Sequence, residues 1–219
     1  MEIAVPLFDR FTALDAVGPY EVLSRLPHAS VRFLGPHAGL VYTDTGMMAL
    51  EAEAVWEDVP APDVVVVPGG FGTRQLLDDE RVLRWLGRAH ETSSWTTSVC
   101  TGSLLLAAAG ILDGVDAATH WAARDLLRSL GAQPLAERVV KRDKIITAAG
   151  VSAGIDMALT LASHLAGAEI AQAIQLSIEY DPDPPFTTGS FETAPPHIVE
   201  RVRSAEAAQA NASRHRPDS

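Results

Sequence analysis

The chain has a single cysteine among its 219 residues, Cys100, so no disulfide can close within it and no CxxC zinc or redox motif exists. A lone cysteine suits a reducing compartment, and a cytoplasmic location is expected. No run of about 18 apolar residues is present, so no membrane-spanning helix is expected. Met1 to Phe8 has no basic region ahead of its short apolar stretch, which argues against a secretory signal. Positive charge is scarce: 17 Lys and Arg stand against 28 Asp and Glu, for a net charge of −11. An acidic chain without a basic block is poorly suited to phosphate backbones, so neither nucleic acid nor membrane is expected as a partner. The histidines are few and scattered. His28, His37, His90, His164, His197 and His215 show no metal-ligand spacing, so no metal is expected.

What is present is an ordinary share of hydrophobic residues, 47%, in a length that fits one large domain. Ile3 to Phe8 reads as a short buried strand. A helix over Thr12–Leu26 should follow, kinked at Pro19 or starting at Gly18. Val31 to Leu34 reads as a strand, and Leu40 to Leu50 as a hairpin turning near Thr45-Gly46. Asp63 to Pro68 is a run of four valines closed by Pro68, Gly69 and Gly70, the pattern of a strand buried on both faces.

A helix is predicted over Glu80–Ser93, a strand over Trp95–Val99 and a helix over Gly102–Ala109. Another helix spans Trp121–Leu130, with Gly131 at its left-handed cap. Val139 and Ile145–Ala148 suggest two strands around the turn Lys141–Lys144. Helices over Ser152–Leu165 and Glu169–Ile178 follow. Asp181 to Pro196 is proline-rich and irregular. A last helix runs from Ile198 to about Ala212, and the polar tail 213–219 is expected to be disordered. Alternating strands and helices imply one α/β domain over 1–212, with a mostly parallel sheet flanked by helices. Ligands in such folds bind beyond the carboxyl ends of the strands. That directs attention to Gly69-Gly70 and Cys100.

Around the cysteine, Thr97-Ser98-Val99-Cys100-Thr101-Gly102-Ser103 carries an apolar strand into Cys100 and a helix out of Gly102. The S-x-C-x-G pattern resembles the G-x-S-x-G nucleophile elbow, with cysteine as the nucleophile. The helix start should favour thiolate, and its free N–H groups can hold a developing anion. The competing reading is a small buried hydrophobe. A nucleophilic thiol needs a proton manager. Asp15, set among Leu14, Ala16 and Val17 near the start of the first helix, is one candidate. It also fits as a helix-start carboxylate favoured by the dipole. Glu21, later on the same helix, is expected to be solvated.

Ser98-Val99-Cys100-Thr101-Gly102-Ser103, followed by Ala107 to Leu112 and by Thr119-His120-Trp121, resembles the ThiJ/PfpI superfamily. Further motifs resemble its bacterial isocyanide hydratase (isonitrile hydratase) branch. These are Leu14-Asp15-Ala16-Val17-Gly18-Pro19, Val67-Pro68-Gly69-Gly70, Glu137-Arg138-Val139-Val140, Ala153-Gly154-Ile155-Asp156 and Glu179-Tyr180-Asp181 through Phe186. The resemblance covers nearly the whole chain, and it implies a flavodoxin-like, class I glutamine amidotransferase-like fold and a homodimer. It makes Cys100 the nucleophile and Asp15 its acid–base partner, the two sharing one proton near neutral pH.

Gly70 and Thr101, with Gly69, would form an oxyanion-type pocket through backbone N–H groups; a tight turn after a strand is the other reading of the two glycines. Peptidase members of the superfamily carry a histidine directly after the cysteine. Thr101 cannot act as that base. His120 belongs to the pocket by resemblance, while structural hydrogen bonding is the usual role of a buried histidine. The expected reaction is hydration of a small isocyanide to an N-substituted formamide, a hydro-lyase activity needing no cofactor.

Two other classes share these motifs. One is the amidotransferase-like part of AraC-type regulators, whose basic DNA-binding domain of about 100 residues is not expected here. The other is glyoxalase-like detoxification of reactive carbonyls.

Overall fold

Four consecutive valines form the middle of the sheet because a strand covered by helices on both faces has no polar side. The computed structural model describes residues 1–213. It divides into two compact units, Met1–Tyr180 and Asp181–Ser219. The first unit carries the sheet. In chain order it contains β1 (Glu2–Pro6), α1 (Ala13–Leu23), β2 (Ser30–Gly35), β3 (Gly39–Tyr42), β4 (Ala49–Ala52), β5 (Ala54–Val55), β6 (Val64–Val67) and α2 (Glu80–Thr92). It continues with β7 (Trp95–Val99), α3 (Gly102–Ala108), β8 (Asp116–Ala117), α4 (Arg124–Ser129), β9 (Gln133–Pro134), β10 (Val139–Arg142), β11 (Ile145–Ala148), α5 (Ala153–Ala166) and α6 (Ala168–Ser177).

Seven strands make the main sheet in the order β10-β11-β7-β6-β1-β2-β5. All neighbours are parallel except β10 and β11, which form an antiparallel hairpin. Val64 to Val67 are all fully buried. Register puts Val67 beside Ser98 and Ser98 beside Thr147, so the ends of β6, β7 and β11 lie level. The two short strands β3 and β4 form a separate hairpin. The sheet class and the order of the principal elements match the sequence reading.

Several boundaries differ for local reasons. The first helix begins at Ala13 and does not wait for Gly18; Pro19 lies inside it. Proline lacks an N–H, so Asp15 loses the usual intrahelical partner of its carbonyl. The segment starting at Trp121 opens as a 3₁₀ turn over Trp121–Ala123 before α4. Gly131 does cap α4, at φ +98°. The strands β5, β8 and β9 have two residues each, too short to leave a periodic signal. No helix among the described residues is long and apolar enough to cross a membrane.

The second unit contains no regular element before α7 (Pro196–Ser213). Ser213, expected to open the tail, is the last residue of that helix. Residues 214–219 of the expected tail lie outside the described residues.

Candidate active site

Cys100 follows the last residue of β7 and precedes α3, and it takes a left-handed backbone with φ +56°. A non-glycine residue in that region is strained, and the surroundings must hold it there. Its N–H donates to the Ala149 carbonyl at 2.9 Å. Its carbonyl accepts from the hydroxyls of Thr119 at 3.0 Å and Ser103 at 3.2 Å. The helix leaving the elbow presses on the neighbouring strand: a β-carbon at Gly102 would lie 2.2 Å from the Val67 carbonyl oxygen. Only glycine fits such an approach. The side chain of Cys100 is buried, 5% exposed.

Asp15, on the first turn of α1, is wholly buried. Its Oδ2 accepts the Gly69 N–H at 2.9 Å. Thr12 ties the same two segments together, its N–H donating to the Gly69 carbonyl at 2.8 Å. Asp15 is therefore no solvated helix-start carboxylate. Burial raises its pKa to about 7, against lowering by the Gly69 N–H and the Cys100 thiol, with the nearby charge of Asp44 adding to the rise. Asp44 reaches the site from the β3–β4 turn, where its Oδ2 accepts from Thr12 Oγ1 at 2.8 Å. The thiol is near enough to influence the Asp15 carboxyl, yet Oδ1 has no partner at hydrogen-bonding geometry. Glu21, six residues further along α1, is exposed and pairs with Arg25 at 2.7 Å.

The Thr101 N–H at the helix start favours the thiolate, as the sequence reading expects, but the thiol's pKa still lies above its ordinary value. Burial pushes it up, and the Asp15 charge pushes it further. The backbone N–H groups of Val151 and Thr101 and the Thr101 hydroxyl oppose that rise. Helix α3 has only seven residues, and a dipole that short cannot offset a dry site. With both groups raised, the pair loses its first proton near pH 7 and resists losing the second.

The glycine pair needs one correction. Gly70 N–H does not open into the pocket: it donates to Thr101 Oγ1 at 2.9 Å, and that hydroxyl donates to the Gly70 carbonyl at 3.1 Å. Gly69 spends its own N–H on Asp15. The Thr101 N–H is directed to the sulfur. The two glycines thus hold Asp15 and Thr101 in place, and the amides that reach the Cys100 sulfur are those of Thr101 and Val151. His120 is half-buried, packs on Gly150 and lies 5.5 Å, ring to ring, from Trp121. Burial lowers its pKa, helped by Arg74 and Arg124. It is not among the groups that set the ionisation of the thiol.

Sequence reasoning missed Val151, Thr119 and Ser103. Thr119 stands in the Thr-His-Trp motif and Ser103 in the elbow, so a signal existed for both. Val151 has none: a β-branched residue at φ +25° is not a pattern a sequence announces.

A model of the DJ-1/PfpI family matches residues 1–164. An isonitrile hydratase of Pseudomonas putida is 44% identical over 207 residues, which is 94% of this chain and 90% of that protein. A crystal structure of a ThiJ/PfpI family protein from Pseudomonas syringae superposes with a TM-score of 0.90 at 36% identity, covering 96% of this chain and 89% of the other. The HTH-type transcriptional regulator GbdR of Pseudomonas aeruginosa is 29% identical over 183 residues, 80% of this chain and 49% of the regulator.

Proposed function

The chain belongs to the DJ-1/PfpI family, and within it we propose that it is an isocyanide hydratase. The observation that carries the proposal is the Asp15–Cys100 pair, with Thr101 where a peptidase would need a histidine, in a chain 44% identical to an isonitrile hydratase over nearly its full length. A buried carboxyl with a pKa of about 7 can give and take a proton at neutral pH.

The reactive form holds one proton, and is the tautomer in which that proton has passed from the Cys100 thiol to Asp15, leaving a thiolate. Sulfur adds to the terminal carbon of R–N≡C, and the same carbon takes the Asp15 proton, giving a thioimidate, R–N=CH–S–Cys100. The ionised Asp15 then draws a proton from water as its oxygen attacks that carbon, and passes that proton to the nitrogen. Collapse of the tetrahedral species returns the hydroxyl proton to Asp15, breaks the C–S bond and releases R–NH–CHO. Proton count and charge are restored, and no cofactor is required. Oδ1 of Asp15, buried and without a hydrogen-bond partner, is the atom free to carry the transferred proton. The Val151 and Thr101 N–H groups stabilise the sulfur when it is anionic.

The test is formamide production from an alkyl and an aryl isocyanide by the wild type and by Cys100→Ala, with methylglyoxal assayed in parallel. Turnover of isocyanide that vanishes in Cys100→Ala supports the reading. Turnover of methylglyoxal alone would replace it with the glyoxalase reading. The protein is proposed to act as a homodimer, for which exposed Leu14 on α1 and Phe186 in the proline-rich segment offer apolar surface. Light scattering on a sizing column measures this directly.

A further inference from the structure

Three of the sequence motifs meet at one oxygen. Oδ2 of Asp156, in the first turn of α5, accepts from Arg138 Nε at 2.6 Å, from Arg138 Nη2 at 2.5 Å and from the Tyr180 hydroxyl at 3.0 Å. Arg138 immediately precedes β10, and Tyr180 follows α6, so three separate elements converge on the start of α5. Arg138 Nη2 also lies 3.4 Å from Ser152 Oγ. The carbonyl of the same arginine accepts the Ala149 N–H at 2.9 Å. Arg138 therefore grips the bend 149–152 from both sides, by its backbone before Val151 and by its side chain after it.

That bend faces the nucleophile. The Ala149 carbonyl receives the Cys100 N–H, and the Val151 N–H reaches the sulfur. Val151 is held at φ +25°, a conformation a β-branched residue does not adopt unaided. The ion pair is half-exposed and adds little to global stability. What matters is the segment it fastens.

We propose that Arg138, Asp156 and Tyr180 form a positioning cluster that fixes the 149–152 bend and so keeps the Val151 N–H on the Cys100 sulfur. The cluster acts through the backbone and touches no reacting atom. The inference rests on Cys100 being the nucleophile, but its test does not depend on any isocyanide being a substrate.

The test is the rate of Cys100 alkylation by iodoacetamide as a function of pH, beside kcat and KM for an isocyanide. The variants are Arg138→Met, Asp156→Asn and Tyr180→Phe, with Arg138→Lys as the conservative partner. Loss of one N–H donor to a thiolate should move the alkylation profile to higher pH by about one unit, which is about tenfold slower reaction below the midpoint. Arg138→Met and Asp156→Asn should show this together with a similar fall in kcat and a KM within about twofold. Arg138→Lys should recover part of the loss. Tyr180→Phe, which removes a single partly exposed hydroxyl, should shift the profile in the same direction by less, and it serves if the other variants fail to fold. Wild-type profiles and kcat in folded variants with lowered melting temperatures would overturn the proposal and leave the cluster a structural tie. A wild type whose cysteine cannot be alkylated at any pH would overturn the nucleophile reading and this proposal with it.

Discussion

Two strand-to-helix bends stand side by side at the carboxyl end of the sheet. One runs from β7 through Cys100 into α3, the other from β11 through Val151 into α5. Both place a non-glycine residue at positive φ, +56° and +25°. The first presents a side chain, and the second presents a backbone N–H to that side chain. A reactive side chain must be a particular residue, so the first bend has a readable pattern. A backbone donor requires no particular side chain, so the second leaves almost none. The chemistry proposed for the site needs both.

Cys100→Ala removes the first bend's contribution outright. Isocyanide turnover should fall by at least about 10⁴-fold with little change in melting temperature. A mutant within tenfold of the wild type would dismiss the side chain as nucleophile.

Asp15→Asn separates proton transfer from geometry, because an amide oxygen can still accept the Gly69 N–H. The expected loss in kcat is roughly 10²–10⁴-fold. Stability should move the opposite way. The native carboxyl holds its proton up to about pH 7 while the ordinary value is 3.8. The folded state therefore binds more protons between those limits, and wild-type stability falls as pH rises from about 4 to 7, by up to about 4 kcal/mol. Denaturant titrations of Asp15→Asn across that window should be nearly flat. A wild type that gains stability over the same range would contradict the buried, neutral-leaning carboxyl.

The two bends should also differ in their tolerance of bulk. A β-carbon at Gly102 meets backbone at 2.2 Å, whereas one at Gly154, in α5, meets side chains, the methyl groups of Val99 at 3.1 Å and Cδ of Pro19 at 3.4 Å. Gly102→Ala should cost about 3 kcal/mol through forced backbone movement. Gly154→Ala should cost under about 1 kcal/mol, because side chains can yield and alanine favours helix. Equal effects in chemical denaturation would remove this distinction.

The smallest expected effect is electrostatic. Activity should rise with pH as the pair loses its first proton near pH 7, the form with one proton being reactive. Asp44→Asn takes a negative charge away from Asp15 and lowers that pKa. The rising limb of kcat/KM should move to lower pH by less than one unit, making the variant the faster enzyme below neutrality. A shift to higher pH would show that Asp44 does not act through its charge.

Much of this architecture is legible in local residue order. Val64 to Val67, the proline and glycines after them, and the small residues around Cys100 each carry their own reason to form a buried strand, a turn or an elbow. Asp15 was legible as a candidate because a carboxylate among Leu14, Ala16 and Val17 is out of place on a solvated helix. The destinations of the Gly69 and Gly70 N–H groups were not. They depend on where Asp15 and Thr101 sit, residues separated from the glycines by 54 and 31 positions. Resemblance suggested an oxyanion pocket there, but both amides are used to hold partners. Glu21 and Asp15 share a helix, yet one pairs with arginine at the surface and the other is sealed in the core.

Residue order alone determined the succession of strands and helices, the parallel sheet and the cysteine at its carboxyl edge, because hydrophobic period and turn chemistry are local properties. Tertiary structure alone decided that Asp15 is dry enough to titrate near neutrality, that Val151 supplies a donor to the sulfur, and that Arg138, Asp156 and Tyr180 share one oxygen. Desolvation and hydrogen-bond partners are properties of the packed neighbourhood, which exists only once distant segments have met.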